Sequence, residues 1–225
     1  MIFIIIPAYN EKNKIKDVVN DAKKYGKVIV VDDGSTDGTA NVVEKMGVDV
    51  VKLQINCGKG FALRMGYSAL MSYNPQPEDI IVTMDADGQH DAKYIPDIVK
   101  KLRNEGLDMV IGARDKSNYP LFKRFGNWGL SKITSILSGM KISDTETGYR
   151  AIKWESLKKI MPLLKSKSYS IEAEHIIIAG KLKLKIGEYK IKSRYIKNKG
   201  VGVVDGIKNG IFAIRTWIRL KRGVL

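Results

Sequence analysis

Two aspartates one residue apart, Asp85 and Asp87, directly follow a short apolar run, and Gln89 continues the alternation. Side chains at every second position of an extended chain point to the same side, so these three are expected to face a common point. Two carboxylates and one amide oxygen make an all-oxygen ligand set, which suits Mg²⁺ or Mn²⁺ and leaves positions for phosphate oxygens. The spacing therefore indicates a divalent-cation site, but a solvated turn at a strand end has the same signature.

Two further polar loops also follow apolar runs, at residues 7–11 (Pro-Ala-Tyr-Asn-Glu) and 32–39 (Asp-Asp-Gly-Ser-Thr-Asp-Gly-Thr). Each loop by itself is typical of turns and helix caps. The sequence has no P-loop pattern Gly-x-x-x-x-Gly-Lys-Ser/Thr, and the glycine turn at residues 58–60 lacks the spacing of a Rossmann fingerprint. These two phosphate-binding motifs are therefore excluded, and the three polar loops form the candidate site.

The loops are positioned by a regular alternation of apolar runs and segments of helical period. The runs that predict strands are 2–7, 28–31, 48–53, 80–84 and 109–112, and the segments that predict helices are 12–25, 36–46, 60–72, 91–104 and 121–138. Such alternation predicts an α/β fold with a mostly parallel sheet and helices on both faces. In this class of fold, ligands bind at the carboxyl ends of the strands, which is where the polar loops lie.

The composition is that of a globular protein, with 225 residues of which 44% are hydrophobic and 28% charged. One cysteine, Cys57, and two histidines, His90 and His175, exclude a disulfide framework and a metal cage built from Cys or His. Residues 1–6 predict a buried strand, not a signal peptide, and no apolar run approaches the ~18 residues of a membrane span. A protein in the cytoplasm or on a membrane surface is expected.

The positive charge is concentrated at the carboxyl end of the chain. Residues 181–225 contain 13 basic and two acidic residues, which accounts for +11 of the formal net charge of +15. Within residues 201–225, apolar side chains recur at three- and four-residue steps, at Ile207, Ile211, Ile214, Trp217 and Ile218. This pattern predicts a basic amphipathic helix, which either lies on an anionic membrane surface or packs its apolar stripe on the domain.

Several short motifs, in this order, resemble the family 2 glycosyltransferases of GT-A fold, and most closely the dolichyl-phosphate mannose synthases and other polyprenyl-phosphate hexosyltransferases. The resemblance covers nearly the whole chain. It rests on residues 7–11, 32–35, 58–62 (Gly-Lys-Gly-Phe-Ala), 85–87, 112–114 (Gly-Ala-Arg), Arg124 with Ser131, Asp144 through residues 147–150 (Thr-Gly-Tyr-Arg), and Arg194 before Lys199 and Gly200. Near Lys199 the chain departs from the family pattern, and the alignment there needs a one-residue gap.

The resemblance implies a role for each matching residue. Those expected to bind the nucleotide sugar are Pro7, Tyr9, Glu11, Val31, Asp33, Asp85, Ala86, Asp87, Gln89, Arg114, Arg194 and Lys199. Asp85, Asp87 and Gln89 would hold Mg²⁺ or Mn²⁺, and Arg124 and Ser131 would bind the acceptor phosphate. Asp85, Asp87, Arg114 and Arg124 are the expected catalytic residues.

The implied reaction is a metal-dependent, inverting transfer of a hexose from GDP-mannose, UDP-glucose or UDP-N-acetylglucosamine to dolichyl or polyprenyl phosphate, feeding glycan or protein glycosylation. A phosphate monoester has a second pKa of about 6, so it is largely a dianion at neutral pH and attacks without a general base. A sugar hydroxyl as acceptor would need a base, for which Asp144 and Glu146 are the candidates. Neither histidine is an obvious base.

The expected organisation is a GT-A domain at residues 1–200 and a C-terminal amphipathic helix at 201–225. The nucleotide-sugar half spans about residues 1–115 and the acceptor half about 116–200. The expected location is the cytoplasmic face of a membrane, as a peripheral protein, with a membrane-protein partner left unidentified. Nucleic acid is not expected as a partner, because the acidic loops would repel its phosphates. A non-catalytic protein of the same fold would not explain why the acidic residues and the arginines occur together.

Overall fold

The computed structural model describes residues 1–117, 119–193 and 203–223. Its strands are β1 (Ile2–Ala8), β2 (Lys27–Asp32), β3 (Asp49–Lys52), β4 (Ile80–Thr83), β5 (Met109–Arg114), β6 (Arg150–Lys153) and β7 (Ile186–Ile191). Its helices are α1 (Lys12–Ala22), α2 (Thr39–Glu44), α3 (Lys59–Ala69), α4 (Ile95–Asn104), α5 (Leu121–Ser138), α6 (Trp154–Ile160), α7 (Ile171–Lys181) and α8 (Val203–Lys221).

The strands form one seven-stranded sheet in the order β3-β2-β1-β4-β6-β5-β7. Only β6 runs antiparallel to its neighbours, β4 and β5, so the sheet is mostly parallel, as the sequence predicts. The order brings β2, β1 and β4 side by side. The three polar loops that follow these strands therefore lie at one edge of the sheet.

Both faces of the sheet are covered, which explains why the central strands are continuously apolar. On one face, Ile5 packs in a core with residues of α3, α6 and α7. On the other face, Ile4 and Ile6 pack in a core with residues of α1 and α4. All three isoleucines have no solvent-exposed surface. Burial of this kind contributes about 1.5 to 3 kcal/mol per large apolar side chain.

The five predicted strands and five predicted helices are confirmed, with shifts at their ends. Helix α2 starts at Thr39, not residue 36, because Gly38 has a left-handed backbone with φ of 90° and interrupts the helix. Helix α4 begins at Ile95 after a short 3-10 turn at Ala92–Tyr94. In the part of the chain that the structure describes, no helix combines the length and hydropathy that crossing a bilayer requires.

Helix α8 packs on α5 and α7 through a narrow face of mainly small or polar residues. Among the residues of α8 whose burial the structure describes, Asn209, Gly210, Ala213, Thr216 and Leu220 are buried. The predicted apolar stripe therefore does not pack on the domain: its four isoleucines are exposed. Trp217 is an exception, because it is partly buried against the core.

Candidate active site

The loops after β1 and β2 are joined by hydrogen bonds. The backbone N–H of Asn10 donates to Ser35 Oγ at 2.9 Å, and the N–H of Thr36 donates to Asn10 Oδ1 at 2.9 Å. The N–H of Glu11 donates to Thr39 Oγ1 at 3.0 Å. Asn10 has a positive φ of 53°, a conformation that asparagine tolerates better than most residues. These hydrogen bonds fix the loops after β1 and β2 to each other, and together the two loops form one side of the candidate site.

The residues that the resemblance assigns to the nucleotide differ in exposure. Tyr9 is 45% exposed and Glu11 is half-buried, so both side chains are accessible at the mouth of the site. Pro7 and Val31 are buried in the sheet, which leaves their backbone atoms as the groups able to contact a ligand. Ala86 is likewise buried.

Asp33, directly after β2, binds Cys57 and the first residue of the glycine turn at residues 58–60. Its two carboxylate oxygens accept hydrogen bonds from the backbone N–H groups of Cys57, at 2.8 Å, and Gly58, at 2.9 Å. Burial raises the pKa of Asp33, although the two N–H groups act in the opposite direction. Asp33 is therefore a buried anchor between the loops after β1 and β2 and the turn that precedes α3.

Lys59, the first residue of α3, bridges two carboxylates. Its Nζ lies 2.6 Å from Asp85 Oδ1 and 2.8 Å from Glu172 Oε1. Burial favours the neutral amine, but the two carboxylates outweigh it and hold the pKa of Lys59 well above its usual value. Burial also opposes ionisation of Asp85, and the Lys59 ammonium reverses this and lowers the pKa of Asp85 to about 2. Both groups are therefore charged at neutral pH.

Gly148 lies directly against this pair. A Cβ at residue 148 would be 2.6 Å from Asp85 Oδ1 and 2.7 Å from Lys59 Nζ, so any larger residue would displace the ion pair. Thr83, at the end of β4, holds the same segment by donating its hydroxyl to the carbonyl of Gly148 at 2.7 Å. The glycine in the Thr-Gly-Tyr-Arg motif is thus explained by the approach of charged side chains.

We call residues 85–89, which follow β4, the acidic loop. Asp87 and Gln89 form its second part. Strand β4 ends at Thr83 and the chain turns at residues 86–88, with φ of 77° at Gly88, so the predicted extended row of side chains is wrong. Instead the turn brings Gln89 back to Asp87: the Nε2 of Gln89 donates to Oδ2 at 2.5 Å and its backbone N–H to Oδ1 at 3.0 Å. Asp85 faces Lys59, while Asp87 and Gln89 face each other.

The ligand set fits a hard divalent cation. Among the residues that the structure describes, no three His, Cys, Asp or Glu side chains cluster closely enough to hold a metal ion between them. A metal site here would depend on the carboxylates of Asp85 and Asp87 and the amide of Gln89. Because the amide can rotate to present its oxygen in place of its nitrogen, all three groups can offer oxygen atoms. Such a set suits Mg²⁺ or Mn²⁺.

The two histidines are buried and have packing partners. His90 stacks on Tyr149 with ring centroids 5.2 Å apart, and its Nδ1 accepts the backbone N–H of Asp85 at 3.4 Å. His175 packs edge-on against Tyr67. Burial, together with the charge of Arg150, lowers the pKa of His175 to about 3. These contacts agree with the expectation that neither histidine serves as a general base.

Arg114 and Asp144 form a bidentate ion pair beside the acidic loop. Nε of Arg114 lies 2.7 Å from Asp144 Oδ2 and Nη2 lies 2.9 Å from Oδ1, and the Nζ of Lys116 approaches Oδ1 at 3.0 Å. Burial opposes ionisation, but the two cations hold the pKa of Asp144 far below its usual value. A carboxylate paired in this way is a poor proton acceptor, so Asp144 is unsuited to be a general base.

Glu146, two residues along the same loop, has the opposite character. Burial raises its pKa to about 6, with Arg114 opposing the shift and Asp144 adding to it. The loop is held on both sides: Ser131 Oγ accepts the N–H of Thr145 at 3.1 Å, and the buried guanidinium of Arg150 donates to the carbonyls of residues 145, 147 and 172. Ser131 is therefore buried and already engaged with the loop, although its hydroxyl hydrogen remains available.

Helices α5 and α8 expose large apolar side chains and bury mainly small or polar ones. Among the residues of α5 whose burial the structure describes, Asn127, Leu130, Ser131 and Thr134 are buried. We define the apolar face as Leu121, Phe125, Trp128 and Ile136 of α5 with Ile207, Ile211, Ile214 and Ile218 of α8, which are 37% to 70% exposed. Arg124 is also exposed, near the start of α5. This is the reverse of an ordinary surface helix, which turns its apolar side inward.

Several residues that the structure places at or next to the site had no role predicted from the sequence. Lys59 lies within the Gly-Lys-Gly-Phe-Ala motif, and Arg150 is the last residue of the Thr-Gly-Tyr-Arg motif. Glu172 and Glu174 are two acidic residues in a mostly apolar helix. The acids in α7 were the available signal, because buried carboxylates need partners. Arg194 and Lys199 lie outside the described residues.

Comparisons with known proteins agree with this site. Residues 3–161 match the family model described as glycosyl transferase family 2. The chain is 36% identical to the UDP-N-acetylglucosamine–dolichyl-phosphate N-acetylglucosaminyltransferase of Methanococcus voltae, covering 92% of both chains. It is 29% identical to the undecaprenyl-phosphate mannosyltransferase of Micrococcus luteus, covering 84% of this chain and 82% of that one.

The fold is shared with a more distant enzyme of known structure. Glucosyl-3-phosphoglycerate synthase from Mycobacterium tuberculosis, crystallised with Mn²⁺, UDP and glucosyl-3-phosphoglycerate, has a TM-score of 0.71 and 21% identity, covering 98% of this chain and 79% of that one. The same enzyme has also been crystallised with Mg²⁺ and UDP. The family match, the relatives and the sheet topology together show that the chain belongs to glycosyl transferase family 2 and is a glycosyltransferase of GT-A fold.

Proposed function

We propose that this enzyme transfers a hexose from a nucleotide diphosphate sugar to a polyprenyl phosphate of the dolichyl type, with inversion at the anomeric carbon. The sugar donor is GDP-mannose, UDP-glucose or UDP-N-acetylglucosamine. The activities named for the relatives from Methanococcus voltae and Micrococcus luteus, which concern dolichyl phosphate and undecaprenyl phosphate, support this class of acceptor. Inversion is what a single direct displacement produces.

The acidic loop would hold Mg²⁺ or Mn²⁺ through Asp85, Asp87 and Gln89. When bound, the metal ion would neutralise charge on the diphosphate that leaves the sugar. Lys59 keeps the carboxylate of Asp85 ionised and fixed in place through their 2.6 Å ion pair. Tyr9, Glu11 and Asp33 would contribute to the nucleotide pocket, together with backbone atoms of Pro7, Val31 and Ala86. Arg114 would add positive charge near the diphosphate, and Arg194 and Lys199 are proposed to do the same.

The acceptor phosphate supplies its own nucleophile. One of its oxygens attacks the anomeric carbon, the bond from that carbon to the diphosphate breaks, and the nucleoside diphosphate leaves with the electron pair. Because the phosphate dianion carries no proton at the attacking oxygen, the step needs no general base. This chemistry is compatible with the ion pairs of Asp144 with Arg114 and Lys116, which make its carboxylate a poor base.

The observation that carries the acceptor assignment is the apolar face of α5 and α8. Exposed apolar side chains of this size, on helices that also carry the exposed cations Arg124, Lys132, Lys208 and Arg215, match an anionic membrane surface. Helix α5 is connected to the acidic loop through the hydrogen bond of Ser131 to the segment that ends at Gly148. The proposed site for the acceptor phosphate is Arg124, with Ser131 seven residues later on the same helix. The proposed location is the cytoplasmic side of the membrane.

A second candidate function has one observation in its favour. The raised pKa of Glu146, about 6, is suited to a general base, which a sugar hydroxyl as acceptor would require. The enzyme of similar fold from Mycobacterium tuberculosis was crystallised with a product that carries glucose on phosphoglycerate. A soluble hydroxyl acceptor gives no reason for the exposed apolar face, so we rank this alternative second.

The test is to incubate the purified protein with Mn²⁺ or Mg²⁺, a short polyprenyl phosphate and each of the three labelled sugar donors. The solvent-extracted lipid is then analysed by mass spectrometry. We expect one labelled glycosyl phosphate lipid, which would identify donor and acceptor together. The matched control is the same polyprenol without phosphate, which should receive no sugar. Labelling of the alcohol, or hydrolysis of the sugar donor without lipid product, would overturn the acceptor assignment.

A further inference from the structure

Arg219, on α8, makes a buried connection that belongs neither to the acidic loop nor to the apolar face. Its Nη2 donates to Glu174 Oε1 at 2.9 Å and to the carbonyl of Leu163 at 2.8 Å. Glu174, on α7, has no exposed surface, and its carboxylate also accepts the backbone N–H groups of Lys165 and Ser166, at 2.9 to 3.1 Å. One guanidinium and one carboxylate therefore fix the start of the segment between α6 and α7.

We call residues 164–168 the strap. Its far end supports the glycine turn at residues 58–60 and the residue after it. The carbonyl of Lys167 accepts the N–H groups of Gly60, at 3.1 Å, and Phe61, at 3.3 Å. The backbones approach so closely that a Cβ at Gly60 would lie 2.7 Å from the carbonyl oxygen of Ser168. A Cβ at Gly58, where φ is 93°, would overlap the carbonyl of Lys167. Glycine is required at both positions by the strap.

The strap is held by polar contacts at Glu174 and by close backbone packing on the glycine turn. A cavity of about 130 Å³ lies between α3 and the beginning of the strap, lined in part by Phe61, Met65 and Leu164. Loss of the Glu174 contacts would leave room for the strap to shift on that side. The glycine turn on the other side of the strap carries Lys59, and it is tied to Asp33 by the N–H groups of Cys57 and Gly58.

We propose that Arg219 is a positioning residue for the nucleotide-sugar site, acting through Glu174 and the strap on the turn that carries Lys59. Helix α8 is then more than a surface for the acceptor: its inner side fixes the cation that pairs with Asp85. The assignment of this site to a nucleotide sugar rests on the proposed function. The chain of contacts from Arg219 through Glu174 and the strap to the glycine turn does not.

The connection is tested by hydrogen–deuterium exchange of the protein without ligands. Arg219→Gln should accelerate exchange of the Gly60 and Phe61 amides by at least about tenfold, because those amides bond to the strap. Arg215→Gln is the matched control: it removes the same charge one turn earlier on α8, at an exposed residue, and should leave these amides unchanged. If Arg219→Gln does not fold, Glu174→Gln makes the same test while keeping an oxygen for the strap. Wild-type exchange at both amides in a folded variant would overturn the proposal.

The effect on the site is tested by titrating the protein with UDP and with GDP in the presence of Mn²⁺. Arg219→Gln should weaken binding of the preferred nucleotide about fivefold or more, and KM for polyprenyl phosphate should stay at the wild-type value. Added to Lys59→Met, Arg219→Gln should cause little further loss, because coupled residues are not additive. Independent, additive losses or unchanged affinity would overturn the proposal. If the wild type binds neither nucleotide, the proposed function fails, while the exchange result still stands.

Discussion

The two sides of the active site are built in opposite ways. On the nucleotide-sugar side, charged groups are buried and paired: Lys59 with Asp85 and Glu172, and Arg114 with Asp144. On the acceptor side, α5 and α8 leave large apolar residues and the charge of Arg124 exposed. The charged groups of the first side pair with one another, whereas the described residues leave the apolar side chains of the second side uncovered. The contrast suggests a preorganised site for a small charged ligand beside a surface meant for a lipid layer.

Preorganisation on the nucleotide-sugar side has an energetic consequence. Buried ion pairs contribute little net stability but become costly when one partner is removed. An exposed apolar surface behaves differently, because replacing its residues leaves folding nearly unchanged and affects only what binds there. Mutations on the two sides should therefore differ in kind, with loss of metal binding, catalysis or stability on one side and loss of acceptor affinity on the other.

The largest effect is expected from Asp87→Asn. Replacing this carboxylate removes a metal ligand and should lower kcat by about a thousandfold or more, because charge on the leaving diphosphate is no longer neutralised. The residue lies in a turn, and in the part of the chain that the structure describes its carboxylate accepts hydrogen bonds from Gln89, so unfolding free energy should change by less than about 1 kcal/mol. Turnover and Mn²⁺ affinity measured by titration provide the check. Full activity with normal metal dependence would remove the metal assignment.

Lys59→Met should reduce both stability and turnover. Without the ammonium, the buried carboxylate of Glu172 loses the cation 2.8 Å away, which we expect to cost about 3 kcal/mol of unfolding free energy. The double variant Lys59→Met with Glu172→Gln should recover a large part of this loss, because the uncompensated charge is gone. Denaturant unfolding of both variants measures the difference. Equal stability of the single and double variants would show that the ion pair does not organise the site.

Arg124→Ala should raise KM for polyprenyl phosphate by about tenfold and leave KM for the nucleotide sugar unchanged, because one charge-assisted phosphate contact is lost. Lys132→Ala, which removes an exposed cation farther along α5, is the control and should have a smaller effect. Steady-state kinetics with each substrate varied in turn distinguishes the two constants. A change confined to the nucleotide sugar would contradict the role given to Arg124.

Ile211→Glu together with Ile214→Glu should weaken binding to vesicles containing anionic lipid by about fivefold or more, since two apolar residues leave the membrane interface. Thermal stability should be nearly unchanged, because both side chains are exposed. Met71→Glu, which changes an exposed apolar residue outside the apolar face, is the control. Vesicle sedimentation measures binding, and unaltered sedimentation of the double variant would exclude the apolar face as the membrane contact.

The smallest effect on activity is expected from Glu146→Gln, within about threefold of wild type, because a phosphate acceptor needs no base. The pH dependence of stability should change more clearly. The native pKa of about 6 lies above the unfolded value of 4.5, so ionisation of Glu146 costs stability as pH rises from 4.5 to 6. The variant should be more stable than wild type by about 2 kcal/mol at pH 7, and not at pH 4. Complete loss of activity would favour a hydroxyl acceptor.

The sequence predicted the sheet and its polar loops well, because buried strands and helical periods are local patterns. The arrangement within the acidic loop was less accessible. Alternation placed Asp85, Asp87 and Gln89 in one row, but β4 ends at Thr83 and the positive φ of Gly88 turns the chain. Similarly, no local pattern indicates that Lys59 meets Glu172, which lies more than a hundred residues later, because tertiary packing alone brings them together.

The C-terminal helix illustrates a second limit. Its periodicity correctly predicted an apolar stripe, but periodicity does not state which stripe faces the protein. The packed side of α8 consists mainly of small and polar residues, among them Asn209, Ala213 and Thr216, which let the helix approach α5 and α7 closely. The more hydrophobic isoleucine stripe was left exposed. Exposure of that stripe became evident only from the structure, and it is the main support for a lipid acceptor.

The most direct test of the lipid phosphate as the attacking acceptor uses polyprenyl phosphate whose three terminal oxygens carry ¹⁸O. After reaction with the accepted sugar donor, tandem mass spectrometry of the lipid product shows which bonds have formed. If an acceptor oxygen attacks the anomeric carbon, the product will contain one hexose and one phosphate and will retain all three ¹⁸O atoms, one of them in the bridge to the sugar. A lipid diphosphate carrying the sugar, or sugar attached anywhere other than the labelled phosphate, would contradict the account.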